Sequence, residues 1–324
     1  MPGPHRRRLA AAVALNAGCV SCHQQEAAQW RASRHSQSDT NTAYREAFAI
    51  EPSPFCRGCH APEADPAKPP PRSVSDLGVG CVTCHVTEDG FVLAASSHPD
   101  TGSAPHPLRR SSRFAGPEAC AACHEFRFPE PRPDGDAHFM QTTVREHRRS
   151  RTADEPCAAC HMPLVRGRRS HAFAEVRDPA WLKDNLQATV ARAAGDRLRI
   201  TLVQPAPGHA FPTGDLFRRL EIGGELRDDA GRVIRREARH LARHFDIIPG
   251  APGRTLTGDD RVFDEPRIVE LDLSTTSPAP RSATVSWWVR YQRVATTGVG
   301  TNPAGAKIES EVELHSGTLP WQTN

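Results

Sequence analysis

The sequence predicts an α+β protein in two parts: short helices and loops over residues 1–178, then an antiparallel β-sandwich over residues 179–324. Three observations carry this. All ten cysteines fall in the first part, in five copies of Cys-x-x-Cys-His. Between the copies the chain is crowded with helix breakers, with five prolines from Pro62 to Pro71 and three from Pro129 to Pro133. After Pro179 cysteine stops and alternating apolar runs begin.

The five copies are Cys19 to His23, Cys56 to His60, Cys81 to His85, Cys120 to His124 and Cys157 to His161. This is the attachment pattern of c-type haem. The thiols of Cys19 and Cys22, Cys56 and Cys59, Cys81 and Cys84, Cys120 and Cys123, and Cys157 and Cys160 would each reach the two vinyl groups of one porphyrin. The following His23, His60, His85, His124 or His161 places an imidazole under the iron as proximal ligand. Structural disulfides need no His after every second Cys, paired zinc knuckles fit badly with an odd count, and a thioredoxin-like motif occurs once. The expectation is five covalently bound haems, with no Cys left for another task.

Haem also explains the composition. Apolar residues make up 38% of the chain and aromatic residues 6%, which is thin for 324 residues. Five apolar porphyrin discs supply the core that the side chains do not. The formal charge of +3 becomes mildly negative once the haem carboxylates are counted, which argues against nucleic acid as partner. No apolar run reaches the length of a membrane-spanning helix.

Thioether attachment in bacteria takes place outside the cytoplasm, so the expected location is periplasmic or extracellular. Arg6-Arg7-Arg8 before Leu9 to Leu15 has the look of an export signal, but Cys19 follows with no room for cleavage. The alternatives are a start further upstream or a helix leading into the first motif.

The second part has seven apolar runs, Leu186 to Val190, Leu198 to Val203, Leu220 to Leu226, Arg232 to Ile234, Ile268 to Leu273, Ala283 to Val289 and Ile308 to Leu314. Turn signals such as Ala194-Gly195-Asp196 and Asp229-Ala230-Gly231 separate them. Seven short strands suggest a sandwich, the last one with a face to water. A weak repeat links Gln29 to Ser33 with Glu146 to Ser150, so that His147 stands where Trp30 stands and reads as a packing residue.

Of 16 histidines, eleven lie outside the motifs, a surplus that bis-imidazole ligation would use. The distal candidates are His35, His106, His138, His171 and His209, with His98 and Met140 competing with His138 for one iron. His240 and His244 stand four apart. They fit a metal pair on a helix, but a solvated basic segment is the favoured reading.

Trp30-x-x-Ser33-x-His35, Gly80-Cys81-x-x-Cys84-His85, Cys160-His161-Met162-Pro163 with Ser170-His171-Ala172-Phe173, and Gly208-His209-Ala210-Phe211-Pro212-Thr213-Gly214-Asp215 resemble the multihaem cytochromes c of respiratory bacteria. They are similar to the group around the nitrifiers' tetrahaem cytochrome, and the last segment resembles the start of a β-domain that follows the haems in some of them. The resemblance implies stacked haem pairs, mostly bis-His ligation and electron transfer with redox partner proteins. The alternative is an oxidoreductase acting on a small nitrogen or sulfur compound at one open iron. No Cys-x-x-Cys-Lys is present, and neither Tyr44 nor Tyr291 sits beside a haem motif in sequence. A homo-oligomer or filament, with His5 or His315 ligating across subunits, is a third possibility.

Overall fold

The structure, a computed structural model, describes residues 7–95, 104–129, 139–173, 178–247, 254–277, 279–280, 282–295 and 305–321. His5, His98 and His138 lie outside the described residues. The chain forms two compact units, one of Met1–Pro129 with Asp154–Glu175, the other of Glu130–Ala153 with Val176–Asn324.

The first unit is a series of short helices, among them Ala12–Cys22, Gln24–Ala32, Thr42–Ile50, Pro54–His60, Cys81–His85, Glu118–His124 and Cys157–His161. Their starts have local causes. The Asn41 side chain accepts from the Tyr44 N–H, and the Ser53 side chain accepts from the Phe55 N–H with proline at the first helical position. Cys81–His85 begins at Gly80, which has no side chain to cap it, and Asn16 from the first helix accepts its Cys81 N–H at 2.8 Å. The apolar cluster here is small: Ala12, Trp30, Leu77 and Val82, with Leu9, Val20 and Val86 against it.

The second unit is a β-sandwich. One antiparallel sheet has the order Val233–Leu241, Arg218–Arg227, Thr284–Val294, Ile308–Pro320, the other Arg267–Asp272, Arg197–Val203, Gln187–Ala193. All seven apolar runs seen in the sequence fall within these strands or overlap them. The period-two rule is plain in Arg197–Val203, where Leu198, Ile200 and Leu202 are fully buried. They pack with Leu271 against Leu220, Ile222, Leu226, Val285 and Leu314 of the facing sheet. The last strand buries Leu314 and leaves most of its length half or fully exposed.

Two features differ from the sequence reading. Residues 139–153 go with the sandwich rather than the haem region, because they are hydrogen-bonded into it. The Glu146 carboxylate takes the Ala210 N–H at 3.2 Å, the Thr213 hydroxyl at 2.7 Å and the Arg261 guanidinium at 2.7 Å, and the Thr152 hydroxyl donates to Pro207 O. His240 and His244 are on no helix. They belong to successive strands, Val233–Leu241 and Arg243–Ile247. His240 is buried beside Glu221 at 3.4 Å, and His244 contacts Asp260 at 2.9 Å. On extended strands a four-residue spacing gives no shared helical face, so the helical metal pair does not form, and the His240 side chain is withdrawn from solvent beside Glu221 while His244 stays partly exposed.

Gly223 faces Trp288 across neighbouring strands. A Cβ there would stand 2.1 Å from the indole, and the indole N–H is tied to Glu221 at 2.7 Å, so the ring is poorly placed to retreat. Gly223→Ala is expected to destabilise the sandwich by about 1–3 kcal/mol, read as a lower midpoint of thermal unfolding by circular dichroism. Asp215 gives a second prediction. Burial would raise its pKa, but Arg293 at 3.1 Å and Arg218 at 3.7 Å hold it down at about 2. The stability it contributes, on the order of 2 kcal/mol, is present above about pH 4 and is lost as pH falls toward 2. Asp215→Asn removes that part of the acid dependence, as a pH series of unfolding midpoints would record.

Candidate haem-binding site

Each Cys-x-x-Cys-His copy lies on a helical turn. In four copies both sulfurs and the histidine sit inside one short helix, and in the first the helix Ala12–Cys22 ends and His23 follows it as cap. Side chains at i, i+3 and i+4 of a helix share one face, which presents two sulfurs and an imidazole to a single macrocycle.

The copies also approach one another. The Cys59 sulfur is 3.9 Å from the Cys123 carbonyl oxygen, linking the second and fourth copies. The facing Cys157 thiol, together with burial, raises the pKa of Cys120, linking the fourth and fifth. Burial and the nearby Cys19 thiol push Cys81 up to about 11, and the two pack on the same apolar cluster, linking the first and third. As thioethers none of these sulfurs would titrate; their value here is as markers of proximity.

The histidines are prepared as neutral ligands. Nδ1 of His60 meets Ser38 O at 2.7 Å, and Nδ1 of His85 meets Leu93 O at 3.0 Å. Among the distal candidates, Nδ1 of His171 meets Arg169 O at 3.0 Å and Nδ1 of His209 meets Ala210 O at 3.1 Å. A carbonyl oxygen only accepts, so each Nδ1 must donate, which leaves Nε2 as the coordinating nitrogen. Burial lowers the pKa of His85 and pushes His35 down to about 4, so both are uncharged at neutral pH.

Three proximal histidines each face a distal candidate. The ring centres are 6.3 Å apart for His23 and His106, 6.1 Å for His85 and His171, and 6.1 Å for His124 and His35. A metal–imidazole bond of about 2 Å on each side of one iron puts two trans ring centres roughly 6 Å apart. The spacing fits haem, and these six residues would hold three irons from both faces. The planes meet at 46° and 32° in the first two pairs and at 88° in the third. His161 ends the helix Cys157–His161, and His209 lies in the sandwich unit. His315 donates its Nε2–H to Leu186 O at 2.5 Å within the sandwich.

Aromatic side chains line the same histidines. Phe173 stands edge-on to both His35, at 4.2 Å, and His171, at 6.2 Å, and Phe114 stands edge-on to His85 at 5.0 Å. Tyr44 stacks on His60 with centres 3.7 Å apart and planes 5° from parallel. Sequence distance hid this contact, since Tyr44 is twelve positions before the second motif and reaches it only through the tertiary fold.

The chain has likenesses to known proteins in sequence and in fold. The family described as "Cytochrome c554 and c-prime" matches residues 18–86, which carry the first three motifs. A penta-heme cytochrome c552 from Thermochromatium tepidum has the same fold, with a TM-score of 0.68 and 17% identity over 97% of this chain and 99% of that one. An endonuclease/exonuclease/phosphatase from Beutenbergia cavernae, 15% identical over 42% of this chain and 24% of that one, has a TM-score of 0.19 and carries no argument. No match was found among curated proteins. The match thus falls on the segment that carries the first three Cys-x-x-Cys-His copies. The likeness to the penta-heme cytochrome c552 extends over nearly the whole chain and shows a shared fold.

Gly78 sets the loop that carries His35. It has a φ of +54°, and a Cβ on it would lie 2.6 Å from His35 O and 2.5 Å from Ser36 O. Gly78→Ala is expected to cost about 1–3 kcal/mol, read as a lower midpoint of thermal unfolding, and to displace the His35 ring from His124.

Proposed function

We propose that the chain is an exported electron carrier that binds five haems and passes electrons along them. The observation that carries the reading is the 6.1–6.3 Å spacing of His23 with His106, His85 with His171 and His124 with His35. Irons closed on both faces by imidazole have no position for substrate, keep the same ligands in both oxidation states and so exchange electrons with little rearrangement. His209 and His138 are the remaining distal candidates. Support for His209 comes from its Nδ1, which is tied to Ala210 O and so commits Nε2 to coordination.

The approach of the first copy to the third, the second to the fourth and the fourth to the fifth supports a closely spaced array in which electrons hop between neighbouring porphyrin edges. The partners are then other redox proteins. Assembly into a larger conduit is a further step that size measurement under native conditions would decide. No helix among the described residues is long and apolar enough to cross a membrane.

Electron paramagnetic resonance of the ferric holoprotein, with haem counted per chain, tests this. Five haems and only low-spin signals are expected. Two imidazole planes near a right angle interact with different iron d orbitals and leave them nearly degenerate, whereas planes nearer parallel split them. The pair His124 and His35, at 88°, should therefore give a more anisotropic signal than the other two pairs. His35→Met should remove that signal and leave the rest. A high-spin ferric signal in the native protein would sink the closed-carrier reading and turn it toward an oxidoreductase with one open iron.

A further inference from the structure

Tyr44 is placed with unusual care for a residue far from any motif in sequence. Asn41 caps the helix Thr42–Ile50 and accepts from the Tyr44 N–H at 3.2 Å. The Arg45 guanidinium then ties the same turn to Asp39 O at 3.1 Å. This presents the Tyr44 ring flat against His60, 3.7 Å away and 5° from parallel. Behind it, Phe48 lies 5.7 Å from the phenol ring, and the Arg57 guanidinium covers Phe48 at 4.7 Å. The opposite restraint on His60 comes from the same segment of chain. Ser38 O receives the His60 Nδ1–H at 2.7 Å, and the Ser38 hydroxyl donates to His60 O at 2.7 Å. An axial imidazole on a single Cβ–Cγ bond is otherwise free to turn about its iron–nitrogen axis, and a hydrogen bond at Nδ1 with a ring stacked on its face removes that freedom.

The Tyr44 hydroxyl is the second observation. Its oxygen is buried and has no hydrogen-bond partner among the described residues. A buried hydroxyl left unpaired has lost its water without replacement, so the site favours an acceptor. Haem carried by Cys56 and Cys59 would bring two carboxylates, acceptors of a kind that no described residue offers this hydroxyl within hydrogen-bond distance.

We propose that Tyr44 is a positioning residue for the second haem: its ring fixes the plane of the His60 imidazole, and its hydroxyl donates to a haem carboxylate. This rests on the reading that the second motif carries haem. A stacked ring sets the orientation of the ligand field, and a hydrogen bond at the porphyrin edge sets the charge the iron experiences. Tyr44 thereby tunes one haem of the array apart from the rest.

The test uses the haem-loaded protein and four variants, followed by redox titration and electron paramagnetic resonance. His60→Met marks the signal of the second haem. Tyr44→Phe keeps the ring and should shift the potential of that haem alone with its g-values retained. Tyr44→Leu should change both its potential and its g-values, with haem content unchanged. Phe48→Leu, which alters packing behind Tyr44, should leave the marked signal in place. If neither Tyr44 variant moves the marked signal, or if both move every haem equally, the proposal is overturned. If only Tyr44→Leu acts, the hydroxyl's part is overturned. If His60→Met alters no haem signal, the reading of the second motif falls instead.

Discussion

The constraint beneath the first unit is that two sulfurs and an imidazole must reach the same small disc. One helical turn meets it, and little else in regular secondary structure does, because i, i+3 and i+4 converge on a face only at a period of 3.6. The unit is accordingly cut into short helices at these points. Thr42–Ile50 has nine residues and Cys81–His85 five. Elements so short would not hold by themselves, and the apolar cluster around Trp30, Leu77 and Val82 is too small to assemble them. The contrast with the sandwich, whose core joins some twenty buried side chains from both sheets, shows how differently the two units reach stability. One is organised by its own side chains, and in the other three pairs of histidine rings stand 6.1–6.3 Å apart with few apolar side chains between the helices.

Legibility from sequence follows from the same contrast. The strands could be read because burial on one face imposes a period of two that survives in the residues, as in Leu198, Ile200 and Leu202. The motifs could be read because the chemistry of attachment is local. The histidine contacts were harder. His35, His106 and His171 were recognisable as candidates from their surroundings, but nothing in the sequence said that His106 faces His23 and not its neighbour in the chain, the fourth motif. The pairing depends on how loops cross, and loops leave no periodic trace. Tyr44 escaped for that reason too. His240 and His244 misled for the opposite one: a four-residue spacing has meaning on a helix, and the backbone there is extended.

The segment around His209 illustrates how a single motif can hold two kinds of work. Its end is structural. Asp215 is bound to Arg293 and Arg218 inside the sandwich, and Thr213 donates to Glu146. Its start presents His209 with Nδ1 already committed to Ala210 O. Glu146 is buried with Arg261, and a buried ion pair is retained only when further hydrogen bonds complete it. Thr142, Thr213 and the Ala210 N–H do so. The carboxylate thus fastens the segment on both sides of Phe211, and a side chain held this way loses little more freedom if it binds a metal.

The internal repeat carries the last step. Ser33 donates its hydroxyl to Trp30 O at 2.7 Å, and Ser150 donates to His147 O at 2.8 Å. In both copies the residue three before the serine is buried and the serine closes the turn by bonding back to it. Two residues further on the copies diverge. The first presents His35 toward His124, while the second has Thr152, whose hydroxyl anchors Pro207 O. The same closed turn therefore serves in one place to aim one histidine at another and in the other to brace the sandwich. What differs is one side chain at one position, so the turn supplies rigidity and the residue that leaves it decides what the rigidity is used for.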